Sequence, residues 1–133
     1  MQITPYLNLG GRCEEAIHFY EKVLGAKVEF LHRVKDAPEK VCEAAMNAPE
    51  NIMHATLRIE NNLLHLSDGD GQPRPMQGAF LSINTTDVKK AETLFNALSE
   101  NGSIIIPLQQ TYWSPGFGML TDQFGIAWMV NCE

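Results

Sequence analysis

Hydrophobic residues recur along this chain at two spacings, one typical of strands and one typical of helices. Residues 3–9 alternate as a strand does, and Gly10-Gly11 gives a turn signal after them. From residue 14 to 24 the apolar positions follow helical spacing, and Gly25 stands where a left-handed helix end is favoured. Three more strands are predicted at residues 26–34, 52–59 and 63–67, with Asn61-Asn62 as the tight turn of the last hairpin.

The same order of elements begins again after residues 68–77, a stretch rich in Asp, Gly and Pro that is typical of a linker. A strand is predicted at 79–85, a helix at 87–99 capped by Thr86 or Asp87, and strands at 103–113, 117–121 and 126–131. This internal repeat predicts an α+β fold of two tandem βαβββ modules in one domain of residues 1–133. Module 1 is expected at about 1–70 and module 2 at about 77–133.

Composition narrows the class of protein. The chain has 133 residues, of which 44% are hydrophobic and 20% charged, as in folded globular domains. Its net charge of -6 argues against binding to nucleic acid or to an anionic membrane, since both need an excess of Lys and Arg. No run approaches the roughly 20 apolar residues of a membrane span, and residues 1–5 do not look like a secretion signal. We therefore expect a cytoplasmic protein.

The three cysteines, Cys13, Cys42 and Cys132, show no CxxC spacing. Neither a disulfide framework nor a thiolate zinc site is predicted, and free thiols are expected.

Three motifs, taken in order, carry a family resemblance. Residues 16–26 (AIHFYEKVLGA) resemble the helix signature of the glyoxalase/bleomycin-resistance/dioxygenase superfamily, also called vicinal oxygen chelate proteins. Residues 52–57 (IMHATL) with Ser67-Asp68, and residues 121–128 (TDQFGIAW), are similar to two hairpins of its PhnB-like branch. The resemblance implies curved mixed sheets that enclose a cleft, helices on the convex face, and a homodimer.

Metal-dependent members of that superfamily place four ligands in the cleft. By similarity those positions fall on Pro5, His65, Ala79 and Met129, of which only His65 is a plausible ligand. A catalytic divalent metal normally has about three protein donors, so a metal centre of the glyoxalase I type is not expected, and no cofactor is predicted.

Strand parity predicts what the cleft contains, because residues two apart share a face. Counting from Asn61-Asn62 pairs Arg58 with His65 and Thr56 with Ser67. One face then holds His54, Thr56, Arg58, His65 and Ser67, and the other face is apolar and lies under a helix. In the last hairpin the same count puts Phe117, Met119, Ile126, Trp128 and Val130 on the helix side and Gly118, Leu120, Ala127 and Met129 in the cleft.

The residues predicted on the cleft side of the two hairpins form the candidate site. Arg58 is expected to bind a carboxylate or phosphonate, with Thr56, Ser67 and Met129 as further ligand contacts. Tyr112 and Trp113 can stack on a flat ligand at the cleft mouth, although a core or dimer contact is as consistent with their position. Residues 35–51 form a long connection that could serve as a lid. His18 and His32 are expected at the surface.

Three function classes stay open. The first is a metal-independent, PhnB-like enzyme of unknown substrate in which His65 or His54 acts as acid or base. The second is a drug-sequestering protein similar to bleomycin-resistance proteins. The third is a metal enzyme with His54, His65 and Asp68 as ligands. The 3-demethylubiquinone methyltransferase label carried by some PhnB-like domains gains no support, since the Gly-rich loop of Rossmann-like methyltransferases is missing.

Overall fold

The computed structural model describes residues 1–37 and 48–133 and contains two compact units, Met1–Arg74 and Pro75–Glu133. We call them module 1 and module 2. Cys42 and most of the candidate lid at residues 35–51 lie outside the described residues. No helix in the described ranges is long and apolar enough to cross a membrane.

Module 1 has the element order β-α-β-β-β. Its elements are β1 (Tyr6–Asn8), α1 (Cys13–Leu24), β2 (Lys27–Arg33), a short 3-10 helix (Val34–Asp36), β3 (Ile52–Ile59) and β4 (Asn62–Ser67). The strands form one sheet in the order β1-β4-β3-β2, in which β1 and β4 are parallel and the other pairs antiparallel. Gly25 ends α1 with a φ of 66°, the left-handed conformation that glycine adopts without a Cβ penalty.

Module 2 repeats this arrangement. Its elements are β5 (Leu81–Thr85), α2 (Val88–Leu98), β6 (Ser103–Gln109), β7 (Gly116–Thr121) and β8 (Ala127–Cys132). The sheet order is β5-β8-β7-β6, with β5 and β8 parallel. Asp87 caps α2, because its Oδ1 accepts hydrogen bonds from the backbone N–H groups of Lys89 (3.0 Å) and Lys90 (3.1 Å). The predicted fold of two tandem βαβββ modules is confirmed.

Each module buries a core between its helix and one face of its sheet. In module 1 the buried residues include Ala16, Ile17 and Tyr20 of α1 and Ala55, Leu57, Leu64 and Leu66 of the sheet. In module 2 they include Ala91, Phe95 and Leu98 of α2 and Leu120, Trp128 and Val130 of the sheet. We call the opposite sheet face of each module its open face.

The first hairpin turns one residue earlier than predicted. Its turn is formed by Glu60 and Asn61, with Glu60 at a φ of 53°, and not by Asn61-Asn62. Thr56 therefore pairs with His65 and Arg58 with Leu63, so the predicted Arg58–His65 and Thr56–Ser67 pairs are wrong. Because partners shift by two positions, every side chain keeps its predicted face, and His54, Thr56, Arg58 and His65 do share the open face.

The last hairpin differs from its prediction by one residue, which has a larger consequence. Thr121 pairs with Ala127, because Asp122 accepts hydrogen bonds from the backbone N–H groups of Phe124 (2.9 Å) and Ile126 (3.0 Å) and closes a five-residue loop. A slip of one residue inverts a strand. Gly118 and Leu120 thus face α2 while Phe117 and Met119 lie on the open face, the reverse of the prediction for β7. The β8 assignment holds for Trp128, Val130, Ala127 and Met129.

Candidate functional site

Two imidazoles meet on the open face of module 1. His54 lies on β3 and His65 on β4, and His54 Nε2 is 3.0 Å from His65 Nδ1. Strand pairing explains the contact: Thr56 stands directly opposite His65, so His54, two residues earlier, is the diagonal neighbour of His65. His54 Nε2 also lies 3.4 Å from Thr56 Oγ1. Three of the five polar side chains that the sequence assigned to this face are therefore brought together.

Aromatic rings surround the two imidazoles. The Tyr6 ring, on β1, lies 5.8 Å from the His54 ring and 6.3 Å from the His65 ring, centroid to centroid, and is nearly parallel to the latter. The Phe30 ring, on β2, lies 5.9 Å from the rings of both His54 and His32. Tyr6 is 56% exposed and Phe30 is 50% exposed. We call these five residues, which extend across all four strands of the sheet, the histidine-aromatic cluster.

Burial affects the protonation of His54, one ring of the cluster. Partial desolvation, and secondly the charge of the neighbouring His65, lower the pKa of His54 below its ordinary value. The His54 imidazole is therefore neutral at pH 7. His32 contributes a third ring, whose Nε2 lies 2.9 Å from the backbone carbonyl oxygen of Asp36.

Sequence reasoning placed His32 at the surface and missed its position in the cluster. It also gave no role to Tyr6 or Phe30. The alternation of β2 would have put Phe30 and His32 on the same face as each other, but only the register of β2 against β3 puts them beside His54.

Arg58 lies at the end of the same face, where its Nε donates a hydrogen bond to Glu29 on β2. Both side chains are about 40% exposed, so the pair is solvated. One of the five guanidinium donors is thereby used. A ligand contact by Arg58 stays a prediction.

Ser67 is the last residue of β4 and Asp68 follows it, and both are buried. Ser67 Oγ accepts a hydrogen bond from the backbone N–H of Gly69 at 3.2 Å. Asp68 Oδ1 accepts from the N–H groups of Gly11 and Cys13, and Oδ2 accepts from that of Ile52, each at 2.8 Å. This carboxylate joins the start of α1 to β3, a role that the sequence reading missed. In the sequence, the Gly10-Gly11 turn before α1 was the feature that could have indicated this role.

The donors expected of a metal centre are not assembled in the described residues. Both oxygens of Asp68 accept hydrogen bonds from backbone amides, which hold the carboxylate against the start of α1 and against β3. Among residues 1–37 and 48–133 no three His, Cys, Asp or Glu side chains are grouped to hold a metal ion. The family positions Pro5, Ala79 and Met129 add no strong donor to His65. The side chains of the described residues do not match a divalent metal site of the glyoxalase I type.

Cys13 lies at the start of α1 and is fully buried. Burial, and secondly the charge of Asp68, raise the pKa of its thiol. Cys132 is also a buried free thiol. Cys13 therefore lacks the low-pKa, exposed character of a nucleophile, and Cys132 is not exposed either.

The open face of module 2 has a different chemistry. Met129 lies there opposite Met119 on β7 and beside Ser82 on β5. Asn131 Nδ2 donates a hydrogen bond to Asn84 Oδ1 at 3.4 Å, while Asn131 Oδ1 is buried without a partner among the described residues. The sequence reading assigned Met129 to a ligand site but overlooked both asparagines.

Tyr112 and Trp113 do not belong to a strand, since β6 ends at Gln109 and not at residue 113 as predicted. They lie in a turn closed by a hydrogen bond from the Thr111 N–H to the Ser114 carbonyl oxygen at 2.8 Å. The Trp113 ring contacts the Phe117 ring edge-on at 5.4 Å. Tyr112 is 97% exposed and Trp113 is 54% exposed. A ligand contact by either residue stays a prediction.

The fold and motifs agree with a comparison against protein families. Residues 3–130 match the model of the Glyoxalase/Bleomycin resistance protein/Dioxygenase superfamily. The chain belongs to that superfamily. Protein YjdN from Escherichia coli strain K12 is 32% identical, over 98% of this chain and 95% of the relative.

Two solved structures of similar proteins have the same fold as this chain. Protein PA1353 from Pseudomonas aeruginosa is 41% identical and superimposes with a TM-score of 0.88, covering 100% of this chain and 98% of that one. A PhnB protein from Bacillus cereus, described as a candidate 3-demethylubiquinone-9 3-methyltransferase, is 22% identical with a TM-score of 0.79 and complete coverage of both chains. The latter shows a shared fold only. That fold agrees with the predicted PhnB-like branch.

Proposed function

We propose that this protein binds a small molecule with a planar, partly apolar body against the open face of module 1. The observation that carries the proposal is the 3.0 Å contact between the His54 and His65 imidazoles on a face where two aromatic rings stay half exposed. Binding sites for small molecules usually combine apolar walls with a few polar groups that fix orientation. Tyr6 and Phe30 supply the walls, and the imidazoles supply the polar groups.

Arg58 gives the proposed site a charged margin. Its ion pair with Glu29 is solvated and exchangeable, so an anionic group on a ligand can compete with Glu29 for the guanidinium. A ligand with an apolar body and one acidic end would use both parts of the face. Thr56 and Ser67 are the hydroxyl contacts proposed from the sequence.

A thermal-shift screen tests this proposal. Panels of acidic metabolites and of small aromatic compounds are added to the full chain, and any compound that binds the folded state raises the unfolding midpoint. We expect compounds with a planar ring to raise it and Phe30→Ala to reduce the shift at least about threefold, because the stacking surface is lost. Phe80→Ala, which removes another exposed aromatic ring in module 2, is the matched control and should leave the shift unchanged. An unaltered midpoint across both panels would overturn the proposal.

An enzymatic form of this function uses the imidazoles as acid and base. His54 is neutral at pH 7 and can accept a proton, and His65 lies in contact with it. Once a substrate is known, replacing His65 with Ala should lower kcat by about 10² to 10⁴ if the pair performs the proton transfer. A His65→Ala variant with wild-type turnover would contradict the enzymatic form and leave only the binding function.

Sequestration of a planar cation is a second candidate function, favoured by the exposure of Tyr112 and Trp113 and by the net charge of -6. Aromatic faces attract cations by their quadrupole. The test is quenching of tryptophan fluorescence by a planar aromatic cation, since Trp113 is half exposed whereas Trp128 is buried. If the quenching persists in the Trp113→Phe variant, Tyr112 and Trp113 do not form the binding site for the cation.

Association with a second copy is proposed from the family resemblance. The strand β6 ends its sheet, and Ile104 and Ile105 on it are each about half exposed. Sedimentation of the full chain should then give twice the monomer mass, and Ile105→Lys should lower it. A monomer at all concentrations would contradict the proposal.

A further inference from the structure

A β-bulge in β2 turns an aromatic ring to the open face of module 1. Val28 pairs with Leu57 on the helix side of the sheet, whereas Phe30 pairs with Thr56 on the open face. Regular alternation would put Val28 and Phe30 on the same face, because they are two residues apart. Glu29 between them is therefore the extra residue of the bulge, and such an extra residue re-aims the side chains around it.

The bulged residue forms an ion pair that is still open to a ligand. Arg58 Nε donates a hydrogen bond to Glu29 Oε1, so the Glu29 carboxylate lies beside Arg58 on the open face. Within the described residues, Glu29 Oε2 and the remaining donors of the Arg58 guanidinium form no hydrogen bond. Both side chains are about 40% exposed. A negative and a positive group therefore lie side by side where a ligand can reach them.

This charged pair lies one row of side chains away from the Phe30 ring. Arg58 follows Thr56, the partner of Phe30, by two residues on β3, and two residues of a strand span about 7 Å. Lys27 is the partner of Arg58 and adds an ammonium group to the same row. A ligand whose ring packs on Phe30 can reach the charged pair with a linker of about two or three carbon atoms.

The charges on the polar end of a ligand decide how many ion pairs binding forms. An acid that takes the guanidinium from Glu29 forms one ion pair and breaks one. An ammonium that takes the carboxylate from Arg58 has the same balance. A ligand that carries both charges forms two pairs and breaks one. Such matching gives specificity, because a partial match leaves one charge of the protein without its partner.

We infer that Glu29 and Arg58 select a zwitterionic ligand, in which a short linker joins a planar ring to an ammonium and a carboxylate, as in an aromatic amino acid. This inference rests on the proposed function, to which it adds the charges on the polar end of the ligand. Glu29 is then a specificity-determining residue. The bulge serves this specificity, since one extra residue in β2 places both the ring of Phe30 and the carboxylate of Glu29 on the open face.

The test compares three compounds that share a phenyl ring and differ in charge. The full chain is titrated with phenylalanine, a zwitterion, with 3-phenylpropionate, which lacks the ammonium, and with 2-phenylethylamine, which lacks the carboxylate. Backbone amide resonances in NMR spectra report the binding. We expect phenylalanine to bind about three- to fivefold more tightly than either of the other two, because one partly exposed ion pair contributes up to about that factor.

Variants assign the preference to the charged pair. Glu29→Gln keeps the size of the side chain and removes its charge, so phenylalanine should bind more weakly while 3-phenylpropionate binds at least as tightly as before. Arg58→Gln should weaken phenylalanine and spare 2-phenylethylamine. Lys27→Gln should weaken the two acids equally and leave the preference between them. Glu92→Gln, the same loss of charge at an exposed residue of α2, is the matched control and should leave all three affinities unchanged.

The outcomes separate this inference from the proposed function. Equal affinities of phenylalanine and 3-phenylpropionate for the wild-type chain would overturn the inference and leave the proposed function intact. A preference that persists in the Glu29→Gln variant would also overturn it, because another group would then bind the ammonium. Failure of all three compounds to bind would count against both, since the phenyl ring that they share is the part that the proposed function places on the aromatic walls.

Discussion

The two modules share one topology and one kind of core, yet their open faces differ. On the helix side β4 carries Leu64 and Leu66 and β8 carries Trp128 and Val130, all buried. On the open side β4 presents His65, in contact with a second imidazole, whereas β8 presents Met129. All four histidines of the chain lie in module 1. Packing restrains the helix-facing positions, and the open-face positions are free to carry different chemistry.

The largest expected effect tests whether a buried carboxylate stabilises each module. Asp68→Ala removes the acceptor for three backbone N–H groups and should lower the free energy of unfolding by about 4 kcal/mol. Asp122→Ala should cost a similar amount, because Asp122 accepts from two backbone N–H groups and from Trp128 Nε1 (2.9 Å). Urea denaturation measures both. Asp68→Asn keeps one acceptor oxygen and should lose less, and a loss below about 1 kcal/mol for Asp68→Ala would contradict the role.

The next largest expected effect is a difference in stability between substitutions at two neighbouring residues of β4. Leu66→Ala, on the helix side of β4, should cost about 3 kcal/mol, because it leaves a cavity in the core. His65→Ala, on the open side, should cost less than about 1 kcal/mol. The matched pair in module 2 is Val130→Ala against Met129→Ala. Equal losses for His65 and Leu66 would mean that the open face is a core in its own right.

A smaller effect tests how closely each helix approaches its sheet. Gly118 pairs with Val130 as Ala55 pairs with Leu66, so the two positions correspond. A Cβ at Gly118 would lie 2.6 Å from Phe95 Cε2 and 3.0 Å from Leu108 Cα. Gly118→Ala should therefore cost about 2 kcal/mol through overpacking, and Ala55→Gly about 1 kcal/mol through chain entropy and lost burial. A stabilised Gly118→Ala protein would show that α2 can move away.

The smallest effect is a pH dependence confined to module 1. Because the pKa of His54 is lowered in the folded state, the unfolded chain binds more protons below its ordinary pKa of about 6.5. Stability should therefore fall as the pH drops from about 6.5 towards the lower folded value. The measurement is the unfolding midpoint at pH 7.5 and pH 5.5, and His54→Gln should lose less on acidification than wild type. Identical losses would show that another group controls acid sensitivity.

Much of the fold could be predicted because its signals are local. The apolar spacing of α1, the stop at Gly25 and the repeat of element order needed no tertiary information. The register of the hairpins was harder to predict, because individual residues in the turns decide it. The sequence favours Asn61-Asn62 as a turn, but Glu60 adopts the positive φ. The error preserved every face in module 1, whereas the Asp122 loop shifted register by one and inverted β7.

The candidate site was predicted only in part, because it also depends on strand register. Parity put His54, Thr56 and His65 on one face, and that is confirmed. Their contact with Tyr6, Phe30 and His32 depends on which strands are neighbours and in what register, and neither can be read from alternation alone. Asp68 was weighed only as a metal ligand, because its bonds to Gly11, Cys13 and Ile52 join segments distant in sequence.

Those long-range bonds of Asp68 set an order for events during synthesis of the chain. Helix α1 emerges from the ribosome before residue 68 does, so the first backbone amides of the helix must remain hydrated until that carboxylate arrives. The first strand likewise waits for β4, its one neighbour among the strands of the described residues. A nascent chain whose residue 68 has not yet emerged from the ribosome would then expose the apolar side of its early helix to chaperones, and emergence of that residue would allow the module to close.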